Sequence, residues 1–166
     1  MIELIGLVFL KAVPPPFPQL TADCTHPVYA SDQLVCGDPL LQRVDAQLAS
    51  ALERGQTRTG PWIEDGGAWF RRSRLCSLRP DHRRCLIEAY RERRTVLTAA
   101  ARTDRGKQCG SLRIAAMPDG SIALYDKAGG IVGVALRASL VWKPFIRIGS
   151  TNRFLDLAGK EIARCG

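Results

Sequence analysis

The sequence predicts an α+β chain in two parts. A disulfide-stapled three-helix (helical hairpin) domain is expected over residues 23–105, and a small antiparallel β module over residues 108–166. Three observations predict it. First, apolar residues recur at helical spacing up to residue 105, and after Gly106 the pattern changes to short apolar or alternating runs separated by glycine turns. Second, the six cysteines, Cys24, Cys36, Cys76, Cys85, Cys109 and Cys165, are even in number and include no CxxC. In small units this reads as a disulfide framework of an oxidising compartment. Third, 166 residues divided in two leave each half too small to rest on its apolar core alone.

Residues 1–22 are read as an export signal remnant or linker. Residues 4–10, LIGLVFL, form an apolar run of seven, and Pro14-Pro15-Pro16-Phe17-Pro18 follows as a stiff stretch. The run is too short for a transmembrane helix. A disordered tail, or a strand added to the C-terminal half, is the rival reading.

Residues 31–36 read as one helical turn capped by Ser31 or Asp32. Asp38-Pro39 is a strong helix start, an acidic cap with proline at the first position. Leu41, Val44 and Leu48, with Leu52, then hold one face until Gly55. Thr59-Gly60-Pro61 is expected to start a second long helix, in which Trp62, Trp69 and Cys76 recur at seven. Asp81 is expected to cap a third, with Leu86, Tyr90, Val96 and Leu97 on its apolar face and Arg93 among them. Trp62, Trp69 and Tyr90 at helical spacing are read as core together with Leu41, Val44 and Leu48.

In the β module, Pro118-Asp119-Gly120 joins strands at 112–117 and 121–126, and further strands are expected at 131–136, 139–142 and 144–148. Asp126-x-Ala128-Gly129 and Asp156-x-Ala158-Gly159 recur thirty residues apart and suggest a repeated hairpin. Cys109 and Cys165 bracket the module and are placed to staple its ends.

The formal charge is +8, and the isoelectric point lies near 9.6. This balance favours anionic partners. Nine of the 24 Lys and Arg fall between Trp69 and Arg94, against three acids, Asp81, Glu88 and Glu92. Arg71, Arg72, Arg74, Arg83, Arg84, Arg91 and Arg94 are therefore the candidate basic binding face. No nucleophile elbow, phosphate loop or zinc-protease motif is present. The two histidines, His26 and His82, read as structural or turn residues. No catalytic, cofactor or metal residue is expected, and no small-molecule substrate.

The helical half resembles the N-terminal domain family named for the lysozyme inhibitor LprI. The residues that carry the likeness come in four motifs in order. They are Asp23-Cys24 with Cys36 twelve residues on; Asp38-Pro39-Leu40-Leu41 with Val44-Asp45 and Leu48; Trp69 and Arg71 with Cys76 seven after the tryptophan; and Cys85-Leu86, Tyr90, Arg93 and Leu97. The likeness covers about residues 23–100. Ser73-Arg74-Leu75 stands where relatives carry Arg-Asp-x, and Leu52 replaces a tyrosine. It implies an exported, disulfide-stapled domain that is no enzyme, and, through the name-giving member, a lysozyme-type muramidase as partner. Local pairing, Cys24–Cys36 and Cys76–Cys85, is the first expectation, and a Cys36–Cys76 bridge between antiparallel helices is the alternative.

Charge sets two partner readings against each other. A cationic muramidase is repelled by a +8 chain at long range, unless Asp32, Asp38, Asp45, Glu53, Glu64 and Asp65 form an acidic patch. An anionic cell-wall polymer or lipid suits the basic face instead. Nucleic acid is the least favoured, because an exported protein seldom meets it.

Overall fold

The computed structural model describes residues 19–54, 60–136, 141–150 and 152–165. The apolar run at 4–10, the polyproline stretch, the helix end at Gly55 and the first half of the strand expected at 139–142 lie outside the described residues.

Among the described residues four α-helices precede a seven-stranded sheet: α1 (Ala30–Gly37), α2 (Pro39–Arg54), α3 (Gly66–Arg74) and α4 (His82–Ala101), with a short 3-10 helix at Leu75–Leu78. The architecture is thus α+β with four disulfide-linked helices rather than three, because the segment expected as one turn at 31–36 extends to eight residues. Its cap is Tyr29, not Ser31 or Asp32. Asp32 instead accepts a hydrogen bond from the Tyr29 N–H at 3.2 Å. The Asp38 carboxylate caps α2 as expected, accepting from the N–H groups of Leu40 at 2.8 Å and Leu41 at 3.3 Å. Asp81 precedes α4, but its side chain makes no cap bond.

The second long helix is shorter than expected. It begins at Gly66, with Asp65 accepting from the Ala68 N–H at 2.8 Å, and Trp62 lies before it in a parallel β-bridge to Gly133. The seven-residue spacing from Trp62 to Trp69 imitates a helical repeat, but the Trp62 N–H donates to the Val132 carbonyl at 3.2 Å. Two glycines permit this approach. A Cβ on Gly60 would stand 2.8 Å from the Val132 backbone, and one on Gly133 would stand 3.2 Å from the Trp62 Cβ. Trp62 is accordingly half-buried against the sheet, not part of the helical core.

Leu41, Leu48, Trp69 and Tyr90 do form the helical core, with Val35, Phe70 and Leu86, and Val44 packs against it half-buried. Each fully buried leucine contributes roughly 1.5–3 kcal/mol relative to exposure. Trp69 and Tyr90 rings meet at 5.5 Å, and the Trp69 Nε1–H donates to the Ala89 carbonyl at 3.3 Å.

The strands are β1 (Lys107–Cys109), β2 (Leu112–Ala116), β3 (Ile122–Tyr125), β4 (Ile131–Leu136), β5 (Ile146–Ile148), β6 (Arg153–Leu155) and β7 (Glu161–Arg164), hydrogen-bonded in chain order. Every pair is antiparallel except β4–β5, which is parallel, so the module is mixed rather than purely antiparallel. Val141 and Trp142, expected in a strand, lie in the crossover between those two strands and are buried in the helical core. The helical half and the sheet also share α4. Its Val96 and Ala99 pack with Ala115, Ala123, Tyr125 and Val134 of the sheet, and the Tyr125 hydroxyl donates to the Ala99 carbonyl at 3.0 Å near the helix end.

The repeated Asp-x-Ala-Gly motif is a repeated turn. The Asp126 N–H donates to the Gly130 carbonyl and the Asp126 carbonyl accepts from the Gly129 N–H; Asp156 does the same with Lys160 and Gly159. In each, the carboxylate accepts from the N–H four residues on, at 2.8 Å and 2.9 Å. Gly129 and Gly159 take φ of 83° and 82°, the left-handed position of a three-residue hairpin loop. The turn at Gly120 has the same frame, closed by Met117 and Ser121.

Three disulfides tie the chain: Cys24–Cys36, Cys76–Cys85 and Cys109–Cys165. Local pairing holds, and the Cys36–Cys76 alternative is excluded. The third bridge joins the ends of the two edge strands, with Cα atoms 4.9 Å apart, and curls the sheet into a near-barrel.

Candidate functional site

The basic face expected from the sequence is divided by the fold. Arg72 sits at the centre of a knot between the halves. Its Nε donates to both Glu64 carboxylate oxygens, at 2.9 Å and 2.8 Å, its Nη2 reaches Glu92 at 3.0 Å, and its Nη1 donates to the Lys143 carbonyl at 3.1 Å. The guanidinium stacks 3.8 Å above the Trp142 ring, whose Nε1–H donates to Glu92 at 2.5 Å. Glu92 is buried, and burial raises its pKa against the opposing pull of Arg72. Two carboxylates here share one arginine, an arrangement that at first sight suits acid–base work. The space beside them is only about 10 Å³, room for a water and not for a substrate.

Arg74 is no surface cation. It pairs with the buried Asp32 at 2.7 Å, bonds the Ser31 hydroxyl and stacks 3.4 Å over Phe70. Arg83 pairs with Asp38, Arg84 with Glu88 at 3.0 Å, and Arg91 with Asp119 at 3.2 Å. Arg94 bonds Gln47, and Arg71 is exposed. Arg93 is buried and donates to the Glu64 carbonyl at 3.0 Å.

The acidic patch fares no better. Asp32, Asp38 and Glu64 are the partners just named, and Asp65 caps α3. Asp45 accepts from the Ala22 N–H at 3.1 Å, and burial raises its pKa. Among the described residues Glu53, an exposed acid, has no such partner. Of the motif residues, Trp69, Tyr90 and Arg93 are buried and Asp45 half-buried, whereas Cys24 and Arg71 are exposed.

His26 is exposed and its N–H donates to Asp23 at 3.0 Å; His82 Nδ1 lies 3.3 Å from the Arg79 carbonyl. Among the described residues no cluster of His, Cys, Asp or Glu suits a metal ion.

The feature that sequence reasoning missed is a cleft of about 510 Å³ at one end of the near-barrel. Ile114, Ala115 and Ala116 at the end of β2, Ile122 at the start of β3, Ile148 at the end of β5, and Phe154 in β6 line it, with Arg102, Asp104, Lys107 and Asn152 at its rim. Cleft mouths of β-barrels are frequent binding sites. No local pattern announces it, since its walls come from four strands brought together by the Cys109–Cys165 closure. The net charge does carry a signal. Residues 102–165 hold eleven Lys and Arg against five acids, so six of the eight net charges lie there.

No match emerges when the chain is compared with models of known protein families, with curated proteins and with solved structures.

Proposed function

We propose that the chain is a non-catalytic, exported binding protein of the bacterial envelope, which engages anionic envelope polymer or lipid through its β module. The observation that supports this most is the separation of charge. In the helical half Arg72, Arg74, Arg79, Arg83, Arg84 and Arg91 pair with acids, whereas residues 102–165 carry eleven Lys and Arg against five acids. A surplus of cations on a disulfide-closed scaffold suits an anionic surface. The test is pull-down on anionic cell-wall polymer and on anionic vesicles across a salt series. Binding should fade as the Debye length shrinks from about 10 Å at 0.1 M to about 3 Å at 1 M. Absent or salt-insensitive binding removes the reading. Three disulfides also favour an oxidising compartment; protein isolated from its native compartment should contain no free thiol.

The likeness to the LprI-type domain supports a second reading, inhibition of a lysozyme-type muramidase. Its motif residues form one packed unit around Trp69 and Tyr90. The scattered acids count against an acidic docking patch. Titrating muramidase activity with the protein decides it: undiminished activity at molar excess ends this reading.

A further inference from the structure

We propose that the cleft at the open end of the near-barrel binds a single acyl chain ending in an anionic group. This rests on the anionic-ligand reading above and names the ligand class for one site in the same module.

The argument begins with what leaves the space. In a small closed barrel the interior is filled by side chains. Here β1, β5 and β6 are three residues each, and among the described residues no ladder joins the edges β1 and β7, which the Cys109–Cys165 bridge ties together. At the mouth the wall residues on one side are small. Ala116 is exposed, and Gly106 takes a φ of 65° so that its backbone lies against Ile114. A cleft of about 510 Å³ results, within the range of small-molecule sites.

The walls fix the chemistry. Ile114, Ile122, Ile148 and Phe154 offer no hydrogen-bonding side-chain atom. A sugar would need convergent donors and acceptors, and the one acid at the rim is already engaged. Asp104 accepts from the Gly106 N–H at 2.7 Å and from Arg102 at 3.3 Å. The remaining charge at the rim is positive. Lys107 makes no ion pair among the described residues, and Arg102 reaches its other partners, the Ala116 carbonyl and the Met117 sulfur, at 3.4 Å and 3.7 Å. An apolar trough with cations at its lip suits a chain whose head is a carboxylate or phosphate.

Isothermal titration of the full, oxidised chain with dodecanoate below its micellar concentration tests this. One molecule should bind per chain, and dodecyltrimethylammonium should bind at least about tenfold more weakly, since its head is repelled at the rim. Ala116→Trp fills the trough from an exposed position, so the variant should unfold at the wild-type temperature while dodecanoate binding is lost. Lys107→Glu should weaken binding about fivefold, and Lys160→Glu, the same charge change in a turn outside the cleft, should alter it less than about twofold. Absence of dodecanoate binding overturns the proposal. So does unchanged affinity in Ala116→Trp, or an equal loss in the two lysine variants. The polymer and vesicle pull-down, repeated with Ala116→Trp, separates the two readings. Salt-dependent capture by the wild type without dodecanoate binding ends the acyl-chain site alone; absence of both in the wild type ends both.

Discussion

The helical half and the β module treat their cations in opposite ways. Arg72, Arg74 and Arg93 turn inward, against Glu64, Glu92, Asp32 and a backbone carbonyl, and their neighbours on α4 meet acids at the surface. Among the described residues, most cations of the β module make no ion pair, Arg102 and Arg164 being exceptions. The densest arginine run of the sequence is therefore largely neutralised, because counter-charges arrive from outside it: Asp32, Asp38, Glu64 and Asp119. Local charge density reads as a surface only when the fold does not bring acids to it.

The largest expected effect breaks that contrast at its centre. Arg72→Ala leaves the Glu92 carboxylate buried beside Trp142 without its cation, and should lower stability by about 3–5 kcal/mol in denaturant unfolding. Lys107→Ala at the exposed mouth should stay within about 0.5 kcal/mol. A similar cost at both positions would dissolve the distinction between the halves.

The staples give the next contrast. Replacing Cys109 and Cys165 with serine opens a bridge across 56 residues, and replacing Cys24 and Cys36 opens one across 12. The first should cost about 2–4 kcal/mol, and about 1 kcal/mol more than the second, if closure of the unfolded chain sets the scale. Thermal unfolding of the two double variants measures the difference.

Acid should loosen the contact between the halves. Burial would raise the Asp119 carboxyl, but the Ser121 and Thr95 hydroxyls, the Ser121 N–H and Arg91 together hold it at about 2. Its folded pKa is thus below its unfolded one, so its contribution is complete above about pH 4 and is lost as pH falls toward about 2. Glu92 acts with the opposite sign, because burial raises its pKa and acid favours its folded form. Urea midpoints between pH 5 and 2 should fall less steeply in Asp119→Asn than in the wild type. The smallest effect belongs to Arg84→Ala, which removes an exposed i,i+4 pair with Glu88 and should cost about 0.3–0.5 kcal/mol by thermal unfolding.

Much of this fold is legible in local chemistry. Asp38-Pro39 starts α2, Gly120 and Gly129 mark hairpins where a left-handed residue is required, and the repeated Asp-x-Ala-Gly gives two like turns. What escaped depends on distant partners. Trp62 keeps helical spacing yet pairs with Gly133, and Trp142 sits in an apolar run yet leaves the sheet to cover Arg72. The parallel β4–β5 pair follows from that excursion, because the crossover carries the chain back to start β5 in the direction of β4. The cleft was illegible for the same reason: Ile114 and Phe154 are forty residues apart, and nothing near either reports the other.

The bridge between the edge strands also sets how the chain comes apart when it is cut. Every hairpin turn of the β module lies within the span from Cys109 to Cys165. A protease that nicks the exposed turn at Lys127-Ala128, or the one at Leu157-Ala158, produces two fragments that stay joined through sulfur. Such nicked protein migrates as one band on a non-reducing gel and as two after thiol treatment, and the fragment masses report which turn was open to attack.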